Sequence, residues 1–197
     1  MITVPIMAEK NVKNSPAALS AQEKIERLRE KMEQAGVQGY LIPRADEFQG
    51  EFVPESSERL RWLTGFTGSA GMAAVLTGKA AVYSDGRYTL QLGKELDGGV
   101  YEGHTSSAAR NDTLEDWIAG NAAAGDVIGY DPRLHTVNEI RSLKDKLAAK
   151  NISIKPVPQN LVDAVWDDRP AEPKGEVSIF PDSVAGMNIA QKKDKVA

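Results

Sequence analysis

Two short apolar runs, Met72 to Leu76 and Lys79 to Ser84, flank Thr77-Gly78, and this arrangement constrains the fold more than any other stretch. A two-residue link is too short for a crossover helix, so the runs read as adjacent antiparallel strands. Their small residues, Ala73, Ala74, Ala80 and Ala81, predict a close approach on at least one face. Elsewhere the chain alternates helical and strand-like segments, which predicts an α/β fold. A hairpin inside that alternation excludes an all-parallel sheet, so the expectation is a mixed β-sheet flanked by helices.

The alternation can be followed residue by residue. Ser20 opens a helix with Glu23 three positions on, a capping box, and Ile25, Leu28 and Met32 share one face before Gly36 stops it. Gly39 to Ile42 is a short buried strand ending at Pro43. After a polar connection from Arg44 to Ser57, one or two helical turns are expected over Glu58 to Thr64. Asp85 is placed to cap a helix through Tyr88, Leu90, Leu92 and Leu96. A strand near Val100 to His104 precedes a helix that Asp112 and Glu115 would open. Asp126 to Tyr130 reads as a strand, Thr136 with Glu139 starts a helix to Lys150, Ile152 to Val157 is a last strand, and Asn160 to Trp166 a closing helix.

Three regions follow. Residues 1–19, with Pro5, Asn11, Asn14 and Pro16 and no period, predict a loose arm, and residues 20–170 a single α/β domain. From Asp167 the chain becomes rich in proline and charge (Pro170, Pro173, Pro181), so 171–197 is expected to be a linker and the truncated start of another domain, where Asn188 and Gln191 begin a capping pattern. The formal charge of −4 and the lack of a long basic run argue against nucleic acid as a partner. No apolar run is long enough to span a membrane, and the first residues do not resemble a signal peptide, so a cytoplasmic protein is expected. With no cysteine, thiolate metal sites and thiol nucleophiles are excluded.

The candidate site lies between Arg59 and Gln91. Gly65, Gly68 and Gly71 form a glycine-rich turn, but they precede a strand, so no helix N-terminus faces a phosphate and the glycines read as turn and packing positions. Ser69 lacks the surroundings of a nucleophile elbow. His104 and His135 are the only histidines, and Asp163, Asp167 and Asp168 do not converge with them, so no metal site is expected among these residues. Trp62, Trp117 and Trp166 read as core anchors. Arg87, in Asp85-Gly86-Arg87-Tyr88, has two readings: a surface arginine paired with Asp85 or Glu95, or a guanidinium fixed by a turn and offered to a substrate carbonyl or carboxylate.

LRWLTGFTGSAG, SDGRYTLQ and NLVDAVWDDRP, in that order, resemble the N-terminal domain of the three-domain, cytosolic Xaa-Pro aminopeptidases (aminopeptidase P), relatives of creatinase and prolidase. The resemblance implies a creatinase-type N-terminal domain with ribonuclease H-like topology. It also implies that two divalent metal ions, usually manganese, lie in a C-terminal domain whose ligand motifs are not in this sequence, leaving no cofactor in the fragment. The arginine of the DGRY motif would bind peptide substrate with proline at its second position. In this chain that role falls on Arg87, with Asp85 and Tyr88 in support. The implied partners are the protein's own middle and catalytic domains and, in the full-length enzyme, a second copy forming a homodimer. The fragment itself is expected to be inactive alone.

Two competing functions would behave differently. A non-enzymatic peptide- or protein-binding module, like the aminopeptidase-like domain of a histone-chaperone subunit, would bind peptide or histone as an isolated domain. A creatinase or prolidase would differ in the substrate profile of the full protein.

Overall fold

Ser20 caps the first helix as its sequence predicts: its hydroxyl accepts the Glu23 amide N–H, and the Glu23 carboxylate accepts the Ser20 amide N–H. This helix, α1 (Ala21–Ala35), ends at Gly36 in the left-handed conformation at φ 66°. In the computed structural model the described residues are 19–106 and 112–197. The loose arm expected at 1–19 therefore falls, but for its last residue, outside them.

Strand β1 (Gly39–Pro43) pairs antiparallel with β2 (Met72–Leu76), which pairs antiparallel with β3 (Ala80–Ser84). The Leu76 amide donates to the Lys79 carbonyl across Thr77-Gly78, closing the short hairpin. Strands β4 (Glu102–Thr105), β5 (Val127–Tyr130) and β6 (Ser153–Pro156) complete a six-stranded sheet in the order β4-β3-β2-β1-β5-β6. Every pairing except the two made by β2 is parallel. The sheet is thus mixed, as the hairpin required.

Helices cover both faces, which is why β1 and β3 are buried along their whole length instead of alternating. On one face α1, α2 (Arg59–Thr64) and α3 (Thr89–Glu95) join residues 157–166 around Ile25, Leu28, Tyr40, Leu63, Phe66 and Val162. On the other, α4 (Leu114–Asn121) and α5 (Val137–Ala148) pack Trp117, Ile118, Leu143 and Leu147 against Leu41, Tyr83 and Ile128. The four small residues of the hairpin are buried, Ala73 and Ala80 on the first face and Ala74 and Ala81 on the second, and at Gly39 a side chain would meet Ile128 and Leu76 at 2.5 and 2.7 Å.

Three expectations need correction. The fourth helix is capped by Thr113 with Asp116, not by Asp112 with Glu115. The Asp112 carboxylate is taken by the Tyr83 hydroxyl at 3.0 Å, leaving Thr113 to satisfy the helix start. The stretch Asn160 to Trp166 is a run of turns, not a helix. There the Asn160 side chain accepts from Val162 and Asp163 as a helix cap would, and Tyr40 Oη takes the Leu161 amide, but Val165 and Trp166 both donate to the Val162 carbonyl, so the bonds close a turn and do not propagate as a helical ladder. Strand β4 begins at Glu102, two residues later than Val100. Beyond Trp166 the chain shows no strand, and two exposed helices follow, α6 (Asp182–Ala185) and α7 (Ile189–Val196), the second capped by Asn188 and Gln191. Among the described residues no helix is long and apolar enough to cross a membrane.

Candidate functional site

Because only β2 is reversed, one edge of the sheet collects the ends of β1, β3 and β5 together with the glycine turn that enters β2. Ligands of open α/β sheets gather outside the carboxyl ends of the strands. This rim carries Arg44, Ser69, Asp85, Arg87, Tyr88, Asp131 and Arg133.

Asp85 follows β3 directly and holds Arg87 in a two-pronged grip. Its Oδ1 accepts from the Arg87 backbone N–H at 3.0 Å and from Nε at 2.9 Å, and its Oδ2 accepts from Nη2 at 2.7 Å. A bidentate fork of this kind fixes the guanidinium plane. The Arg87 side chain is nonetheless 68% exposed, and its Nη1 donates to no described residue. The pairing holds the Asp85 carboxyl below, and the Arg87 guanidinium above, its ordinary pKa. Glu95, the other partner considered for Arg87, is occupied by Thr67 and Gln91.

Tyr88 is the second support. Its ring lies 5.1 Å from the Arg87 guanidinium and meets Phe66 edge-on at 5.7 Å. Its hydroxyl shares a 2.6 Å hydrogen bond with Ser69 Oγ, which pulls the phenol below its usual pKa. The three residues singled out from the sequence therefore touch one another. The sequence did not reveal what lies behind them. Arg44 donates to the Ser69 carbonyl at 3.1 Å and pairs with Glu58 at 3.2 Å, tying the glycine turn to the start of α2. Ser69, which has no nucleophile elbow around it, is instead the hinge of this network. Gly65 adopts φ 82°, and a side chain at Gly68 would collide with the Phe66 ring, so these glycines serve turn and packing, not a ligand.

A second aspartate–arginine fork follows β5. Asp131, fully buried, accepts from the Arg133 amide at 3.0 Å, from its Nε at 3.2 Å and from its Nη2 at 2.9 Å, while Asn160 Nδ2 adds a bond at 3.0 Å. Reading the sequence for a ligand site did not find this pair. The signal that could have found it is the repeat of Asp-x-Arg immediately after a strand.

The histidines do not form a centre. His104 stacks on Tyr83 at 4.7 Å, whereas His135 packs edge-on against Tyr130 at 5.7 Å and burial lowers its pKa. Asp163 is engaged by Arg59 and Arg169, and Asp167 by Arg27. Among the described residues no group of three His, Cys, Asp or Glu is placed to hold a metal ion. These side chains do not fit a dinuclear site. A depression of about 620 Å³ beside Glu30, Met32, Gln38 and Thr77 lies at the opposite end of β1, away from the rim.

Residues 24–164 match the family described as Creatinase/Prolidase N-terminal domain. A probable Xaa-Pro aminopeptidase P from Neosartorya fischeri is 37% identical over 175 residues, which cover 88% of this chain and 27% of that protein. A counterpart from Coccidioides posadasii is 38% identical over 178 residues, with 88% and 28% covered. The chain thus spans little more than a quarter of these curated relatives. Among solved structures, the X-prolyl aminopeptidase of Caenorhabditis elegans, described as a cytosolic enzyme with a di-nuclear active site, aligns over 90% of this chain and 31% of its own. That alignment has a TM-score of 0.80 and 27% identity. The N-terminal domain of the cytoplasmic peptidase PepQ from Mycobacterium tuberculosis shares the fold at TM-score 0.54 and 23% identity, over 72% of this chain and 97% of its own. The mixed sheet, the ordered motifs and the matched residues together place the chain in the creatinase/prolidase N-terminal domain family.

Proposed function

We propose that this chain is the non-catalytic N-terminal domain of a longer, metal-dependent Xaa-Pro aminopeptidase, and that it positions peptide substrate through Arg87. The parent enzyme removes the N-terminal residue that precedes proline, works in the cytosol as a homodimer, and holds two divalent metal ions, manganese, in a separate catalytic domain. Curated relatives at 37% identity and the cytosolic C. elegans enzyme support the activity and the location. The observation that carries the positioning role is the Arg87 fork. Its plane is set by Asp85, Tyr88 backs it, and Nη1 is left for a substrate oxygen. Because the Asp85 carboxylate already compensates the guanidinium charge, the fork suits a peptide carbonyl better than a free carboxylate. Orientation of this kind raises rate by holding the scissile bond in place while another group does the chemistry. The boundary we assign to the domain is 20–170, with 171–197 leading to the next domain.

The reading is tested with purified full-length protein and the 197-residue chain, side by side, on an Arg-Pro-Pro peptide with added manganese. Release of the first residue by the full-length protein alone is expected. Turnover by the 197-residue chain would overturn the non-catalytic assignment, and no turnover by either would overturn the activity.

A further inference from the structure

We propose that the carboxyl rim of the sheet is a track for the downstream part of an extended peptide, with Arg87 at one end, Arg133 at the other, and the rings of Phe48 and Phe52 between them. This rests on the reading that Arg87 engages peptide, and it adds a specificity for peptide length that Arg87 alone does not supply.

The two ends of the track are built alike. In each, an aspartate directly after a strand accepts the amide, Nε and Nη2 of the arginine two residues on, leaving Nη1 unbonded among the described residues. Each fork is neutral overall and already ordered, so it offers N–H donors to a backbone carbonyl at small entropic cost. Both stand on the same side of the sheet: Tyr88 beside Arg87 packs on Phe66, and Asn160, which holds Asp131, leads into Leu161 of the same core layer.

Their separation follows from the sheet. The forks end β3 and β5, three positions apart in the strand order, and their aspartates differ by three residues in level, since Tyr83 lies level with Pro43 and Gly129 with Tyr40. At about 4.8 Å per strand and 3.3 Å per residue this is roughly 15 to 20 Å, the length of about five or six extended residues.

The intervening ground is one pinned loop. Arg44 reaches the Ser69 carbonyl beside Tyr88, and Gln49 reaches the Leu134 carbonyl beside Arg133, each at 3.1 Å. Asp46 Oδ1 accepts the amides of Phe48 and Gly50 at 3.0 and 2.9 Å, which holds the loop in shape. From it Phe48 and Phe52 stand 82% and 88% exposed, and a cleft of about 280 Å³ runs past Arg44, Gln49, Phe52 and Ser69. Phe48 and Phe52 share one loop whose backbone is held by Asp46 and by the Arg44 and Gln49 side chains. Their rings provide an apolar platform for peptide side chains, while exposed Glu47 and Glu51 beside them disfavour acidic ones.

The test uses full-length enzyme and a series of neutral Xaa-Pro peptides from three to ten residues. For the unmodified enzyme, kcat/KM is expected to rise with length, chiefly through KM, and level off once about six residues follow the proline. Arg133→Gln is expected to reduce the long-to-short ratio about 10- to 150-fold, the worth of one hydrogen bond to a charged donor. Phe48→Ser with Phe52→Ser is expected to lower the same ratio, most for peptides with apolar residues in the middle. This double substitution sits on an exposed loop and decides the matter should Arg133→Gln fail to fold. A ratio that neither variant alters would overturn the track, as would a loss equal at every length. Loss of tripeptide turnover in Arg87→Ala separates the two claims: if it is absent, the underlying role of Arg87 fails. If it is present while the ratio is unmoved, only the track fails.

Discussion

Replacing Asp163 by asparagine is expected to destabilise the domain by about 3 to 5 kcal/mol, the cost of leaving a buried cation unpaired. Asp163 lies in the turns after Asn160 and accepts from Arg59 Nε at 2.6 Å and Nη2 at 2.9 Å, and from Arg169 Nη1 at 3.1 Å. Arg59 is only 3% exposed, so water cannot take over when the carboxylate loses its charge. The guanidinium is also stretched thin already, because its Nη1 finds no partner among the described residues. With stability of about 5 to 15 kcal/mol for a domain, this is a large fraction. At roughly 2 kcal/mol per molar urea it would lower the unfolding midpoint by about 2 M. Urea unfolding of the 197-residue chain followed by tryptophan fluorescence reads it directly, since Trp62 and Trp166 stack at 5.3 Å beside this network. The double substitution Arg59→Met with Asp163→Leu removes both charges, and is expected to recover most of the loss. A shift below about 0.5 M for Asp163→Asn, or a double variant no better than the single one, would refute the idea that a buried charge is being compensated.

Other outcomes follow from single residues. Gly39→Ala is expected to cost about 1 to 3 kcal/mol by urea unfolding, because the added methyl meets Ile128 and Leu76 between β1 and its neighbours. Burial works against ionisation of Asp131, but its bonds to Arg133 and Asn160 outweigh it and hold its pKa below the ordinary value. Its contribution is therefore complete above about pH 4, the unfolded value, and is lost as pH falls through the lower folded one. An Asp131→Asn variant should show a shallower fall in stability below pH 4 than the unmodified chain. In full-length enzyme Tyr88→Phe, which removes only the bond to Ser69, is expected to lower kcat/KM about two- to tenfold.

Much of this architecture was legible because local signals agreed with each other. Ser20/Glu23, Thr136/Glu139 and Asn188/Gln191 each form the capping box their spacing announces. The hairpin across Thr77-Gly78 dictated the mixed sheet. What failed was decided by partners far away in the chain. Asp112 and Thr113 both satisfy the capping pattern, and only the Tyr83 hydroxyl from β3 selects between them. Asn160 to Trp166 begins with a cap from the Asn160 side chain, yet Tyr40 from β1 holds the Leu161 amide and Val165 and Trp166 share the Val162 carbonyl, so no helical ladder propagates. At the rim, Asp85, Arg87 and Tyr88 are neighbours in sequence and could be grouped by reading alone. Arg44, Glu58, Ser69 and Arg133 reach the same edge through the order of the strands, which no single stretch discloses.

Substrate positioning stands or falls with Arg87. Full-length enzyme carrying Arg87→Ala, assayed on a short Xaa-Pro peptide under manganese, is expected to lose about 10- to 150-fold in kcat/KM, as for one charge-assisted bond to substrate. Its unfolding midpoint should stay near that of the unmodified protein, since the side chain is mostly exposed. Unchanged kinetics in a normally folded variant would return Arg87 to the status of a surface arginine paired with Asp85.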